Sequence, residues 1–592
     1  MVFLTIYRYF CNIISYLLIS CTMKRLNKTA GALALMAPLT AAAQTADKPN
    51  IIFFLVDDYG WSETSLPFGN DTCANNRKFH TPNMERLASM GTMFTNAYAC
   101  PVSTPTRTSL MTGMNAAKMK ITNFCSLFKD RPSDAIGGAP GTTNPNESDI
   151  FANAEWNHNA FCPVQFKDDK DIYGLNHTVY ANPMVEYLRD AGYYTIHIGK
   201  AHWSPAGGPG ANPLNMGFMV QVAGSGNGHP KSYQPEDYFG NIPGKGDFSS
   251  IQNMAQYYDS KIHLNEALTL EALKALETPI KRHEPFYLYL SHYAVHTPIQ
   301  RDNRFIQKYL DAGLDENAAR YASMVESMDK SLGDVLDFMQ RKGIADNTIL
   351  VFYSDNGGHC LAHDKGGEPH TQNLPLREGK GSCYEGGIRV PMMIYWPGKV
   401  AAGTRINTPV INEDFFPSIL EMAGVNDYKT VQQLDGKSFV RLAQRGSQLA
   451  AEAKKAGKIK TMADANAFMV PESETGISPE RELIFHYPHQ YRVEDQDDID
   501  FLSAIRKGDW KLVYRMHTGD LELYNLREDI GEHNNVAAAN PKITASLAKS
   551  LGSRLREWDA SMPTVRATGK PVAMPDEVPL PKASKKKKAN KK

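Results

Sequence analysis

The sequence lacks any excess of one charge: 64 Lys and Arg residues are matched by 64 Asp and Glu residues over 592 positions. No global field draws such a chain onto nucleic acid or an anionic membrane, so an anionic ligand has to be captured locally. Beyond the N-terminal region no apolar run is long enough to span a bilayer, and no stable membrane span is expected. There is no internal repeat, no C-x-x-C pair and no Cys/His spacing that marks a zinc site. Nothing in the composition, 42% hydrophobic and 22% charged, suggests collagen, coiled coil or wholesale disorder. What remains is an ordinary globular class, long enough for one large domain and a smaller one.

The N-terminus carries the apolar segments that the rest lacks. From Met23, the basic Lys24, Arg25 and Lys28 precede an apolar stretch from Ala30 to Thr40 and then Ala41, Ala42 and Ala43. That order is a secretion signal with cleavage near Ala43. Upstream, Leu18-Ile19-Ser20-Cys21 also fits a lipoprotein box with anchoring at Cys21. Because a complete signal follows at once, Met23 rather than Met1 is the preferred start, and an exported protein, periplasmic or secreted, is expected. Cys11 and Cys21 fall in this leader, leaving Cys73, Cys100, Cys125, Cys162, Cys360 and Cys383. Export permits disulfides among these six, and spacing selects no pairing.

In the body, the apolar run Ile51 to Val56 ends abruptly in Asp57-Asp58, as a buried strand delivering carboxylates at its end would. Helical patterns from Pro82 to Met90, Pro183 to Asp190 and Tyr321 to Arg341 lead into apolar runs at Phe94, Tyr194 to Ile198 and Thr348 to Tyr353. This alternation predicts an α/β fold with a large, mainly parallel, doubly wound sheet, whose sites lie at the carboxyl ends of its strands. Lys200 and His202, His292 and His296, and Asp355 and Asn356 all follow such runs. The segments Ser204 to Gly246 and Gln444 to Ala467 read as inserted or loop-like and carry no obvious chemistry. Past Pro479, short alternating runs and a helical pattern from Pro541 to Trp558 predict a small antiparallel sheet with a helix, a C-terminal α+β unit. The expected partition is a leader to 43, a catalytic domain over 44–478, the α+β unit over 479–565 and a basic, disordered tail over 566–592.

One segment carries most of the chemistry: Cys100-Pro-Val-Ser103-Thr-Pro105-Thr-Arg107-Thr-Ser-Leu-Met-Thr-Gly113. Taken alone it is a helix start, with Ser and Thr near the cap and proline in the first turn. It also resembles the signature of the type I sulfatases, a family of the alkaline phosphatase superfamily, in its serine-type bacterial form. In that signature Cys or Ser, any residue, Pro, any residue and Arg direct oxidation of the first residue to formylglycine (3-oxoalanine), and Ser103 holds that position. The resemblance runs from Lys48 to about Met562. In the family's order come Asp57-Asp58, Gly199-Lys200-Ala-His202, His296-Thr-Pro298, Ser354-Asp355-Asn356-Gly357-Gly358, and Lys380 before Tyr384-Glu-Gly-Gly-Ile-Arg-Val-Pro391.

The resemblance implies a sulfatase, a sulfuric ester hydrolase that frees inorganic sulfate through a hydrated formylglycine made from Ser103. Asp57, Asp58, Asp355 and Asn356 offer only oxygen, a donor set that suits calcium or magnesium rather than zinc. By resemblance, one calcium ion is favoured over magnesium, with the residue at 103 also a ligand. Arg107 and Lys200 would then steady the formylglycine diol, His202 would bond to it, and His296 with Lys380 would bind sulfate and protonate the leaving oxygen. His292 reads as structural. A serine at 103 further implies a radical maturating enzyme of the serine type as partner.

His359, His363, His370 and Arg377 in one loop, with His486 and His489 in the second domain, are candidate contacts for a sugar, and a sulfated carbohydrate is the expected substrate class. Two other readings stay open. One is a phosphodiesterase or phosphonate monoester hydrolase of the same superfamily, and the other a non-catalytic sulfoglycan-binding protein with Ser103 unmodified.

Overall fold

A computed structural model describes residues 48–125, 151–152, 160–168, 178–361, 363–491 and 499–582. The leader and signal expectations, and the Lys585 to Lys592 run, lie outside these residues.

The core strand β1 (Asn50–Val56) is buried at every position, as its unbroken apolar sequence requires of a strand covered on both faces. Its odd residues Ile51, Phe53 and Leu55 enter one apolar layer and its even residues Ile52, Phe54 and Val56 the other. Helices fill both layers. On the even side lie α1 (Pro82–Met90), α4 (Leu264–Arg282) and α5 (Glu316–Arg341). On the odd side lie α2 (Ser103–Thr112), α3 (Met184–Asp190) and α6 (Phe415–Met422).

The remaining strands of this nine-stranded sheet are β2 (Thr92–Tyr98), β3 (Tyr194–Gly199), β4 (Val220–Val222), β5 (Phe286–Ser291), β6 (Thr348–Ser354), β7 (Arg389–Tyr395), β8 (Thr404–Ile406) and β9 (Val410–Ile411). Their order is β8-β2-β7-β6-β1-β5-β3-β4, with β9 also on β2. Only β7 runs against its neighbours in the sheet. The predicted doubly wound, mainly parallel sheet is therefore present.

A second sheet is antiparallel throughout: β10 (Glu482–Tyr487), β11 (Leu502–Lys507), β12 (Trp510–Arg515) and β13 (Asp520–Asn525). One face takes the helix α7 (Pro541–Glu557) through Leu547, Leu551 and Leu555. The other packs Leu483, Phe485, Ala504 and Val513 onto Tyr98, Val102, Tyr384 and Ile388 of the large sheet's rim. From Pro49 onward the chain forms one compact unit.

Three segments differ in detail from expectation. Gln444 to Ala467 is not a loop: a π turn and the helices Ser447–Lys455 and Met462–Ala467 occupy it, because its Ala and Lys are strong helix formers. Ser204 to Gly246 holds β4 and buries Phe218, Tyr233 and Phe239. The tail begins later than 566, since Asp576 and Glu577 pair with Arg556 at 2.7 and 2.8 Å and Tyr514 donates to the Ala573 carbonyl at 2.7 Å. Among the described residues the six cysteines form no disulfide, and no helix is long and apolar enough to cross a membrane.

Glu413 follows β9 and is buried. Oε1 accepts from Asn115 Nδ2 at 3.0 Å, while Oε2 has no hydrogen-bond partner. Burial, reinforced by Asp414, pushes its carboxyl up from 4.5 to about 8. Between those values the unfolded chain binds fewer protons, so this group's stabilisation is full below about pH 4.5 and is lost as pH rises through about 8. Glu413→Gln should therefore show a smaller fall in Tm than the parent between about pH 5 and pH 8, read by calorimetry.

Candidate active site

Strand register gathers the site. In the parallel core Val56 pairs with Ser354, Leu55 with Ser291, and Gly199 with Ser291. The residues that follow these ends, Asp57 and Asp58, Asp355 and Asn356, and Lys200, emerge side by side at the carboxyl edge, where such sheets hold ligands. One carboxylate oxygen from each of Asp57, Asp58 and Asp355 lies within 4.8 Å of the others, and all three residues are buried. Asp58 adopts a left-handed backbone (φ 59°), with its N–H on Asp355 Oδ1 at 3.2 Å.

Cations from separate elements close on this cluster. Arg107, on the second turn of α2, donates Nε to Asp355 Oδ2 at 2.8 Å, with Nη2 2.7 Å from the same oxygen. Its Nη1 donates to Ser291 Oγ at 2.6 Å and to the Lys200 carbonyl at 3.2 Å. Lys200 Nζ lies 2.6 Å from Asp57 Oδ2, and Lys380 Nζ 2.7 Å from Asp58 Oδ1. Ser103 opens α2, whose N-terminus adds its own positive end. Ser103 Oγ accepts from Lys200 Nζ at 3.3 Å and stands 3.2 Å from His202 Nδ1. His202 is held in turn by Thr104 Oγ1 at 3.3 Å and by a close backbone pass at Gly228, where a Cβ would fall 2.8 Å from the ring.

The electrostatics follow from burial opposed by neighbours. Burial works against charge on Asp58, yet His296, Lys380 and Lys200 hold its carboxyl well below the usual range. Asp355 is pushed up to about 6, by burial and then by Asp57. Burial lowers Lys200 despite Asp57, whereas Asp58 lifts Lys380 against its burial. Both His202 and His296 fall well below 6.5, first through burial.

Two buried oxygens in the cluster, Asp57 Oδ1 and Asn356 Oδ1, have no hydrogen-bond partner, whereas Asn356 Nδ2 donates to Asp58 Oδ1 at 2.8 Å. Orphaned acceptors beside three carboxylates, with no nitrogen or sulfur donor among them, fit a hard divalent cation.

The structure brings together every residue expected for catalysis: Ser103, Arg107, Lys200, His202, His296 and Lys380. His296 Nε2 lies 3.7 Å from Asp58 Oδ2, and its Nδ1 is 2.9 Å from the Thr297 carbonyl. His292 points elsewhere, to Ser331 Oγ at 2.8 Å, as its structural reading implied. The candidate sugar contacts fare differently. His359 is buried, its ring against Tyr491 at 6.0 Å. His363 is exposed on a short turn, and His370 pairs with Glu378 at 2.6 Å. Three others are placed as scaffold. Arg377 stacks on Tyr384 at 3.8 Å and donates to the Tyr524 hydroxyl at 3.0 Å. His486 is buried between Ser503 Oγ at 2.6 Å and the Ser561 carbonyl at 2.7 Å, and His489 is fully buried on Thr122 Oγ1 at 2.8 Å. The composition of a surface loop suggested them, but strand β10 and the small sheet's packing absorb them.

Sequence reasoning missed His229, whose ring stacks on His296 at 5.7 Å and 12°. Its signal was a histidine within the Gly-Ser-Gly-Asn-Gly-His run of a segment set aside as loop. It also missed Ser291, which anchors Arg107 from the end of β5.

Lys200 and Asp57 are both without solvent exposure. Lys200→Met strands the carboxylate and should cost about 3–5 kcal/mol of stability in denaturant unfolding. In chelator-stripped protein, an added hard divalent cation should raise Tm, and the rise should shrink in Asp355→Asn, which removes one carboxylate from the cluster.

Comparison with known proteins agrees with this geometry. The Sulfatase family model matches residues 49–425. A sulfatase of Formosa agariphila is 28% identical over 90% of this chain and 94% of its own. Mouse N-acetylgalactosamine-6-sulfatase is 29% identical over 69% of this chain and 68% of its own. Among solved structures, Ps i-CgsB superposes with a TM-score of 0.59 at 24% identity, covering 86% of this chain and 93% of that one. BT4656, solved with D-glucosamine-2-N,6-O-disulfate, gives 0.51 at 18% identity over 86% and 98%. With its family model spanning more than half the sequence and the acidic cluster, basic clamp and helix-borne serine assembled at one strand edge, this chain belongs to the sulfatase family of the alkaline phosphatase superfamily.

Proposed function

We propose that this sulfatase is exported and removes sulfate from a glycan, using formylglycine formed at Ser103 and a calcium ion held by Asp57, Asp58, Asp355 and Asn356. The observation that carries this reading is the position of Ser103 Oγ, 3.2 Å from His202 Nδ1 and 3.3 Å from Lys200 Nζ, at the rim of the carboxylate cluster. Calcium there would screen the ester's negative charge, and hydrated formylglycine would supply a nucleophile that serine alone does not.

The chain's own residues do the rest. Lys200 and His202 hold the oxygen at position 103 and govern its proton. Arg107 pairs with Asp355 at 2.7 Å and stands 3.8 Å from Asp57, fixing both carboxylates in a preorganised field where charge develops. Lys380 and His296 stand on the Asp58 side of the site. With Nδ1 engaged by the Thr297 carbonyl, His296 has Nε2 left to carry a proton to the leaving oxygen. The half-buried ring of His229 against it narrows the space for the leaving sugar.

A glycan is favoured by the company the chain keeps: the mouse relative is named for a sulfated amino sugar, and structural neighbours were solved with a neocarrahexaose and with a disulfated glucosamine. A serine-type maturating enzyme is the partner this reading requires.

The test is to co-produce the chain with such a maturase, weigh the tryptic peptide holding Ser103, and assay sulfate release from sulfated sugars. Loss of two hydrogens at Ser103 with turnover is expected. Ser103→Ala should lose both, with kcat down on the order of 10⁴-fold or more. His296→Ala should cost roughly 10²–10⁴-fold on a sugar sulfate and much less on an activated aryl sulfate, whose leaving oxygen needs no acid. Faster hydrolysis of a matched phosphate ester would move the assignment to the superfamily's phosphodiesterases. Sugar binding with an unmodified serine would move it to a binding protein.

A further inference from the structure

Beside the catalytic cluster, the loop from Gly358 to Lys380 folds back on itself. Lys380 N–H donates to the Gly358 carbonyl at 3.0 Å, and Asn373 Nδ2 bridges the Gly358 and Glu378 carbonyls at 2.7 and 2.9 Å. His370 N–H donates to the Cys360 carbonyl at 2.8 Å. These contacts bring three donors of different chemistry to one point. A thiol sulfur of Cys360, a ring nitrogen of His370 and a carboxylate oxygen of Glu378 all lie within 4.8 Å of one another. Cys360 and Glu378 are buried, while the His370 side chain keeps 41% exposure and leaves a way in from solvent. The close pass of Gly379, where a Cβ would fall 2.9 Å from Cys360 Cβ, seats the thiol against the loop's return arm.

We propose that Cys360, His370 and Glu378 form a zinc site, distinct from the acidic cluster, that staples this loop. Sulfur, imidazole and carboxylate together are the donor set of zinc rather than of calcium or magnesium. Tetrahedral coordination at bonds of about 2.0–2.3 Å sets ligand atoms roughly 3.5 Å apart, reached by a small opening of the His370–Glu378 pair with the thiol drawn in from within 4.8 Å. His370 Nδ1 and Glu378 Oε2, now 2.6 Å apart, share a position that the ion takes over. Charge balances: the thiol releases its proton, His370 turns Nδ1 to the ion with its ring proton on Nε2, and thiolate plus carboxylate offset the dication around a neutral imidazole. A fourth position remains for water. The donors stand 10 and 8 residues apart, which explains why no spacing motif announced them. Because Cys360 and Glu378 are the two ends of the loop, the ion ties its arms together two residues from Lys380. The assignment does not depend on the reaction at Ser103.

The test uses the full chain, stripped with chelator, and adds zinc alone or cobalt as its spectroscopic substitute. One equivalent of zinc should bind and raise Tm, and cobalt should give a thiolate charge-transfer band. Cys360→Ser should abolish the band. His370→Ala, a change at an exposed side chain, should weaken zinc at least tenfold while keeping the Tm rise with calcium, which reports the acidic cluster and the fold. Should Cys360→Ser fail to fold, His370→Ala decides the matter by itself. Absence of a cobalt–thiolate band, a band that survives Cys360→Ser, or zinc affinity unchanged in His370→Ala would overturn the proposal.

Discussion

Everything in this structure is arranged around the mutual compensation of buried charge at the carboxyl edge of four strands. Asp57, Asp58 and Asp355 converge without solvent, and each is answered by a cation from another part of the chain: Lys200 after β3, Lys380 from a distant loop, Arg107 from α2. Buried charges of this kind persist only when paired and hydrogen-bonded, because the desolvation of any one left alone costs several kcal/mol. The parallel register makes the pairing obligatory. Once Val56 lies beside Ser354, and Leu55 and Gly199 flank Ser291, the carboxylates cannot avoid one another, and the cations must come to them.

The antiparallel sheet reads as part of the same constraint. Its inner face packs on Val102, immediately before Ser103, and on Tyr384, just past Lys380. Lys511 of β12, wholly buried, joins Glu385 at 2.9 Å to Glu532 at 2.8 Å. Glu532 also accepts the Glu385 N–H at 2.7 Å, so the turn after Lys380 is clamped by the small sheet. Two elements that carry groups proposed to react are thus braced from behind, as the narrow geometry of catalysis would need.

The sequence disclosed the parts of this arrangement that obey short-range rules. An unbroken apolar run ending in two aspartates is legible as a parallel core strand with a site at its tip, and the helix limits at Pro82–Met90 follow from periodicity. What stayed hidden depends on long-range contact. His486 looks the same on paper whether it faces a sugar or Ser503, and only the register of β10 with β11 decides it. His229 was hidden by the reverse effect: a glycine-rich run has no period to read, yet its turns carry that ring onto His296. The Ala- and Lys-rich segment misled because composition was weighed above propensity, and helix formers became helix.

The charge balance also says what the site is missing. Three carboxylates against Arg107, Lys200 and Lys380 sum to no net charge, so the protein groups alone give little attraction for an anionic ester. Within that balance Asp58 is held charged by its neighbours and Lys380 by Asp58, while burial raises Asp355 to about 6 and lowers Lys200. The two oxygens without partners, on Asp57 and Asn356, face the same cluster that those cations already constrain. A divalent cation held by the carboxylates would answer those oxygens and would turn a neutral cluster into one with two positive charges, near where Ser103 meets Lys200. On the proposed reading, the site would hold an anion better once it has taken up a cation. The buried cations Arg107, Lys200 and Lys380 would then serve to hold the acidic residues in place for it.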